Sequence, residues 1–257
     1  MLHAETPLHV ETTGPEDGPI VLLLHGLSVN GAVWDGVRDR LAATHRVIVP
    51  DFAGHGLSPR VGNYSLGRYA VDVAAWLPAG SRVDIIGHSM GGAVGLILAS
   101  GWFGITVTRT VTIGMKMSWT AEESLKMGRP FPVRRFGSRD KAAQRFLTVT
   151  GLAGLADADA RVVRHGIVED EGSWRLAADP EITRVVGPET PAIIAAARAG
   201  GAAIRLVCGT RDPLVTLPEM LAFDAEARTI EGGHNLPVEA PEDVAGLLGS
   251  FTSLSTP

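Results

Sequence analysis

Residues 83–100 read VDIIGHSMGGAVGLILAS. An apolar run of strand character breaks at Gly87-His88-Ser89-Met90-Gly91 and resumes with apolar residues at helical spacing. Glycine is costly inside regular structure, so two of them around a corner imply a tight turn. Two explanations stay open at this point. The corner is either a packing device with an incidental serine, or a G-x-S-x-G turn that holds a serine out between strand and helix. In the second case the amide of Met90 lies in the first helical turn, where backbone donors are unpaired and the dipole favours negative charge.

Outward from this corner, short apolar runs alternate with helix-period segments. PIVLLLHG (19–26), HRVIVPDF (45–52), RVDIIGHS (82–89), TRTVTIG (108–114) and AIRLVCG (203–209) read as strands, with a last one at EARTIEGG (226–233). Several are apolar on successive residues, the pattern of strands covered on both faces in a parallel sheet. PLHVETTGPEDGP (7–19) suggests an outer strand and turn at an antiparallel edge. Between them, Val33, Val37 and Leu41 share one helical face, and Ser65 stands as N-cap to a helix carrying Leu66, Tyr69, Ala70 and Val73. PEDVAGLLGSF (241–251) closes the chain as a helix with proline at its start. The alternation predicts a doubly wound α/β sheet, whose ligands collect beyond the carboxyl ends of the strands.

Residues 115–186 interrupt the alternation. No strand is evident there, but T-A-E-E (120–123) has the form of a capping box, and Asp179 precedes a proline at a helix start. The block holds 12 of the 23 Lys and Arg residues and 10 of the 28 Asp and Glu, a formal charge of +2 against −7 for the remainder. It is expected to form a helical cap on a core made of residues 1–114 and 187–257, with a surface decoration as the alternative. Arg134, Arg135 and Arg139 lie close together, first as a solvated basic face and second as a hint of an anionic substrate.

Composition narrows the partners. The chain has 257 residues, a net charge of −5 and mean hydropathy of +0.16, ordinary values for a globular protein and poor ones for a binder of nucleic-acid phosphates. No apolar run approaches the ~18 residues of a membrane span, and no basic-then-apolar leader opens the sequence. Cys208 is the single cysteine, so a disulfide framework is excluded and a cytoplasmic location is the expectation.

A serine nucleophile needs a base and the base an orienting acid. His234, in IEGGHNLPVEAPEDV (230–244), follows the last strand in a glycine-rich loop. Asp212, in LVCGTRDPLV (206–215), ends another buried strand, with an Asx-turn or helix cap as its alternative. The strand after the nucleophile offers no carboxylate before Glu122, which favours Asp212. The amide of Leu27, after His25-Gly26 at a strand end, is the natural partner of the Met90 amide. His25 is expected to be a structural imidazole, Asp51 a turn carboxylate and Cys208 a core residue. Ser28, Trp119 and Trp174 are candidates for the pocket wall.

LLLHG, VIVPDFAGHGLS, IIGHSMGG, LVCGTRDPLV and IEGGHNLPVEAPEDV together resemble the α/β-hydrolase superfamily, of the cap-bearing serine hydrolase kind that includes esterases, lactonases and carbon–carbon bond hydrolases. The resemblance implies a cap inserted after the sixth strand and a Ser89–Asp212–His234 triad. It further implies Leu27 and Met90 amides around the oxyanion, and no metal or organic cofactor. Serine at 89 departs from the haloalkane dehalogenases and related epoxide hydrolases, which carry aspartate there. The implied activity is hydrolysis of a small molecule with an ester, lactone or activated carbonyl. Carbon–carbon hydrolysis, lyase or cyclase chemistry and cofactor-free oxygenation are alternatives on the same fold, and a non-catalytic ligand-binding protein a further one.

Overall fold

The computed structural model describes residues 8–185 and 187–251; residues 1–7, Val186 and 252–257, which the expected domain boundaries include, lie outside the described residues. Among the described residues nine strands occur in chain order: β1 (Val10–Thr13), β2 (Ile20–Leu24), β3 (Arg46–Pro50), β4 (Arg82–His88), β5 (Thr106–Ile113), β6 (Ile167–Asp170), β7 (Ser173–Leu176), β8 (Ala203–Gly209) and β9 (Arg228–Ile230). Seven form one sheet in the order β1-β3-β2-β4-β5-β8-β9. Only β1 runs antiparallel, against β3. The other neighbours are parallel, as the successive apolar residues of several of these strands predict.

Successive residues of each strand enter opposite cores. Leu22, Leu24, Ile48 and Ile85 join α2 (Leu66–Ala74), α3 (Met90–Leu98) and α7 (Thr190–Ala199) on one face. Val21, Leu23, Val47, Val49 and Ile86 join α1 (Asp35–Leu41) and α10 (Pro241–Gly246) on the other. The Val33-Val37-Leu41 face is buried as expected, although its first turn, Gly31–Trp34, is a 3-10 helix capped by Asn30. Ser65 accepts a hydrogen bond from the Arg68 amide at 3.0 Å and starts α2.

The irregular block contains α4 (Ala121–Met127), α5 (Arg139–Val149) and α6 (Arg161–Gly166), followed by β6, β7 and a 3-10 helix at Pro180–Arg184. Two expectations are corrected here. The block leaves the sheet after β5, the fifth strand in chain order rather than the sixth, because the antiparallel edge contributes one strand among the described residues. Nor is it wholly helical: β6 and β7 form an antiparallel hairpin. Its two-residue turn, Glu171-Gly172, has φ of 52° and 73°, the paired left-handed geometry that matches strand twist. Both capping assignments agree with the contacts: Thr120 and Glu123 exchange hydrogen bonds, and Asp179 accepts from the Glu181 amide at 3.0 Å.

The block shares a core with the sheet. Ala142, Ala143, Phe146, Val162 and Val163 bury in the same cluster as Val21 and Ile86. Buried polar contacts fix its position: Asn30 Nδ2 donates to Val162 O at 2.8 Å, and the Tyr64 hydroxyl to Asp179 at 2.6 Å. Arg161 joins Asp35 of α1 and Glu11 of β1. The block leaves the carboxyl edge of the sheet at the end of β5, and Thr190, shortly after it in the chain, donates its hydroxyl to Lys116 O at 3.2 Å. Two short helices complete that edge, α8 (Leu217–Leu221) and α9 (Leu236–Glu239).

Candidate active site

Ser89 sits between the last residue of β4 and the first of α3 with φ 51° and ψ −117°, a conformation that costs a non-glycine residue roughly 1–3 kcal/mol. Its flanks explain the glycines. A Cβ on Gly87 would lie 2.3 Å from Gly91 O, and one on Gly91 would lie 2.2 Å from Leu24 O. The Ser89 amide donates to Ile113 O of β5 at 2.7 Å, which pins the corner to the sheet. Its hydroxyl makes no hydrogen bond among the described residues and stands half-buried at the surface.

Asp212 follows β8 and His234 follows β9, and these parallel neighbours bring the two together. His234 Nδ1 donates to Asp212 Oδ2 at 3.0 Å. The Asp212 side chain is fully buried, and its other oxygen accepts from the Leu214 amide at 2.9 Å. That tautomer leaves Nε2 of His234 with its lone pair free to take a proton. β5 lies between β4 and β8, and Gly114 follows it at φ +62°. A Cβ there would lie 3.0 Å from Asp212 Oδ2 and from His234 Nδ1 and Cε1, so bare backbone makes room for the pair.

Three side chains that sequence reasoning left without a role hold the His234 loop. Glu239, at the end of α9, accepts from the Gly233 amide at 2.7 Å and the Asn235 amide at 3.0 Å, the residues on either side of His234. Asn235 Nδ2 donates to Thr150 O and Gly151 O at 3.2 and 3.1 Å, tying the loop to the inserted block. His88 Nε2 donates to His234 O at 2.9 Å, and the two rings stand 4.7 Å apart. Burial, and then the neighbouring His234, push His88 down to about 3, so it remains a neutral donor. A glutamate five residues after a loop histidine was the available signal for Glu239.

On the opposite side, β2 ends against the corner. A Cβ on Gly26 would lie 2.9 Å from His88 Nδ1 and 3.3 Å from Ser89 Cβ. The Leu27 amide, next in the chain, makes no hydrogen bond among the described residues, and the Met90 amide opens the nine-residue α3. His25 donates from Nδ1 to Gly26 O at 2.8 Å and accepts from the Phe52 amide at 2.9 Å; burial pushes it down to about 4. It is the structural imidazole expected. Asp51 accepts from the Gly31 and Leu57 amides at 2.6 and 2.8 Å, as a turn carboxylate does. Cys208 is buried in the core, its thiol pushed up to about 11 by that burial.

Of the three pocket candidates, Ser28 lines a cavity of about 240 Å³ under the inserted block, whereas Trp119 and Trp174 do not. Trp119 is exposed beneath the Lys116 ammonium, 5.5 Å from its ring centre, and Trp174 pairs through its backbone with Phe136. Among the described residues no group of three or more His, Cys, Asp or Glu side chains is placed to hold a metal ion, and no helix is long and apolar enough to cross a membrane.

Residues 21–247 match the profile of the alpha/beta hydrolase family. The chain belongs to that family. The magnesium-chelatase 30 kDa subunit of Rhodobacter capsulatus is 29% identical over 264 residues, spanning 92% of this chain and 87% of that protein. A pimeloyl-(acyl-carrier protein) methyl ester esterase of Aeromonas hydrophila subsp. hydrophila is 45% identical, but over 84 residues, 32% of either chain. Among solved structures, the thioesterase domain from the curacin biosynthetic pathway superposes with a TM-score of 0.77 at 20% identity over 94% of each chain. At that identity the likeness is one of fold.

Proposed function

We propose that this alpha/beta hydrolase cleaves a carboxylic ester or lactone through a covalent acyl-enzyme on Ser89. The observation that carries the proposal is the Asp212–His234 pair, 3.0 Å apart at two strand ends beside the strained serine corner. Ser89 Oγ attacks the carbonyl carbon while His234 Nε2 takes its proton. Asp212 holds the imidazole in the tautomer that leaves Nε2 unprotonated and stabilises the imidazolium that forms. Oγ is not yet hydrogen-bonded to the base, in keeping with catalytic contacts that tighten only around a substrate.

The negative charge on the carbonyl oxygen falls to the Leu27 and Met90 amides. One such donor is worth ~2.7–4 kcal/mol of transition-state stabilisation. Because both are backbone groups, side-chain changes at 27 and 90 matter only when they move the chain. His234 then returns its proton to the leaving oxygen. Water, activated by the same imidazole, hydrolyses the acyl-enzyme. Residues 115–186 serve as a lid over the carboxyl edge of a core formed by residues 1–114 and 187–257, with Ser28 on the wall of the pocket beneath.

The regional similarity to a methyl ester esterase supports this chemistry. The whole-length similarity to the magnesium-chelatase 30 kDa subunit favours one second reading, a ligand-binding subunit on a hydrolase scaffold. A screen of short acyl esters, lactones and β-diketones beside Ser89→Ala separates them. Ester or lactone turnover with an acyl-enzyme burst, lost in Ser89→Ala, supports the hydrolase. Ligand binding that survives Ser89→Ala, with no turnover in either protein, supports the subunit.

A further inference from the structure

The cavity beneath the inserted block is lined by more cationic than anionic side chains. Five arginines line it, Arg60, Arg134, Arg135, Arg145 and Arg175, and one acidic residue, Asp170. That carboxylate is already shared: Arg175 meets it at 2.8 Å and Arg135 at 3.1 Å, and Arg135 also reaches Glu171 at 3.1 Å. Arg60 donates only to the carbonyls of Ala177 and Ala178, at 3.1 and 3.4 Å. Burial, and then the nearby Arg175 charge, pull its proton affinity below the usual guanidinium range. Arg134 and Arg145 have no ion-pair or hydrogen-bond partner among the described residues, and Arg145 is half-buried on α5. The third arginine of the sequence cluster differs: Arg139 pairs with Asp159 at 2.9 Å and does not line the cavity.

The rest of the wall is apolar, built from Phe131, Val133, Phe136, Val149 and Leu176. Phe131, Val133 and Arg134 are exposed to solvent and Arg145 is half-buried, and a guanidinium fork matches a carboxylate in geometry. At about 240 Å³ the space is smaller than the roughly 300–1,000 Å³ of pockets that take drug-sized ligands. Its Ser28 wall lies two residues after Gly26, where an added Cβ would stand 3.3 Å from Ser89 Cβ, so one small molecule can span both.

We infer that the cavity between the inserted block and Ser28 is an anion subsite, and that the substrate is a small ester whose apolar chain ends in a carboxylate held by Arg145, Arg134 and Arg60. The inference rests on the hydrolase reading of Ser89 for the reacting end; the charged end is set by the arginines alone. Arg145 and Arg134 are the recognition pair because they have no competing acid. Arg135 and Arg175 are held by Asp170 and shape the floor.

The test compares paired esters in wild type and Arg134→Gln/Arg145→Gln. One arm places the acid on the acyl side, with mono-4-nitrophenyl adipate against 4-nitrophenyl hexanoate. The other places it on the alcohol side, with 4-acetoxybenzoate against phenyl acetate. Taking the ratio of kcat/KM for the charged over the neutral ester cancels the intrinsic reactivity of each pair. The ratio is expected to fall at least tenfold in one arm, through KM, and further in Arg145→Glu. A ratio unchanged within twofold in both arms overturns the subsite. If wild type turns over none of the esters, the hydrolase reading fails and calorimetry decides the subsite separately. Adipate titrated into Ser89→Ala should bind at least fivefold more tightly than into Ser89→Ala/Arg134→Gln/Arg145→Gln. Equal or absent binding in the two overturns it. Matching melting temperatures exclude misfolding as the cause.

Discussion

Gly114→Ala isolates the positioning of the acid–base pair from every other feature of the site. The residue has φ +62°, and the added Cβ would lie 3.0 Å from Asp212 Oδ2 and from two atoms of the His234 ring. Ordinary contact begins near 3.4 Å, so the pair must retreat by about 0.4 Å. A misplacement of ~1 Å can cost on the order of 10²-fold in rate, which puts this substitution at roughly tenfold in kcat/KM. Left-handed backbone adds about 1–2 kcal/mol of destabilisation. Gly104→Ala is the matched control: its φ is +71°, but nothing lies within 4 Å of the new Cβ. Both variants should therefore lose similar stability in urea unfolding, while only Gly114→Ala falls by roughly tenfold in kcat/KM. Equal kcat/KM in the two variants would refute the placement of Asp212 and His234 as the working pair.

The remaining expectations concern the loop and the buried imidazoles. Glu239→Ala strips the acceptors from the amides on both sides of His234, each worth about 1–3 kcal/mol when left unsatisfied. Steady-state kinetics should show kcat down about 10- to 100-fold with KM little changed and partial rescue in Glu239→Gln; wild-type kcat in the alanine variant would remove Glu239 from the positioning of the base. Burial pushes His25 down to about 4 and His55 and His88 to about 3, so each binds its proton more readily in the unfolded chain. The stability that depends on their neutrality is complete above about pH 6.5 and is lost as pH falls toward the folded values, by roughly 2 kcal/mol for each histidine at pH 5. Calorimetric melting temperatures should drop steeply between pH 7 and 5, and a flat profile would contradict the neutral assignment.

Much of this architecture was legible because its physical causes are local. Apolar runs such as VLLL mark strands covered on two faces, and the structure sends their alternate residues into two cores. Strand ends then point to Ser89, Asp212 and His234, since a parallel sheet gathers its loops at one edge. The β6–β7 hairpin escaped because its strands are four residues each and half-polar, with Glu171 rather than Asn or Asp at a left-handed turn position. Glu239 was hidden by ambiguity: an acid in the first turn of a helix has an ordinary dipole explanation, and only the folded loop shows which amides it meets. The cavity arginines come from segments as far apart as Arg60 and Arg175, so no sequence window contains them together. Trp119 and Trp174 were chosen for their aromatic character, which says nothing about which side of the inserted block they occupy.

The central claim is that Ser89 is a nucleophile activated by His234, and covalent labelling tests it most directly. Folded wild-type protein incubated with a fluorophosphonate should gain one adduct, mapped by peptide mass to Ser89. Ser89→Ala should gain none, and His234→Ala should label far more slowly. A folded wild type that takes up no label, or a label retained in Ser89→Ala, would contradict the claim.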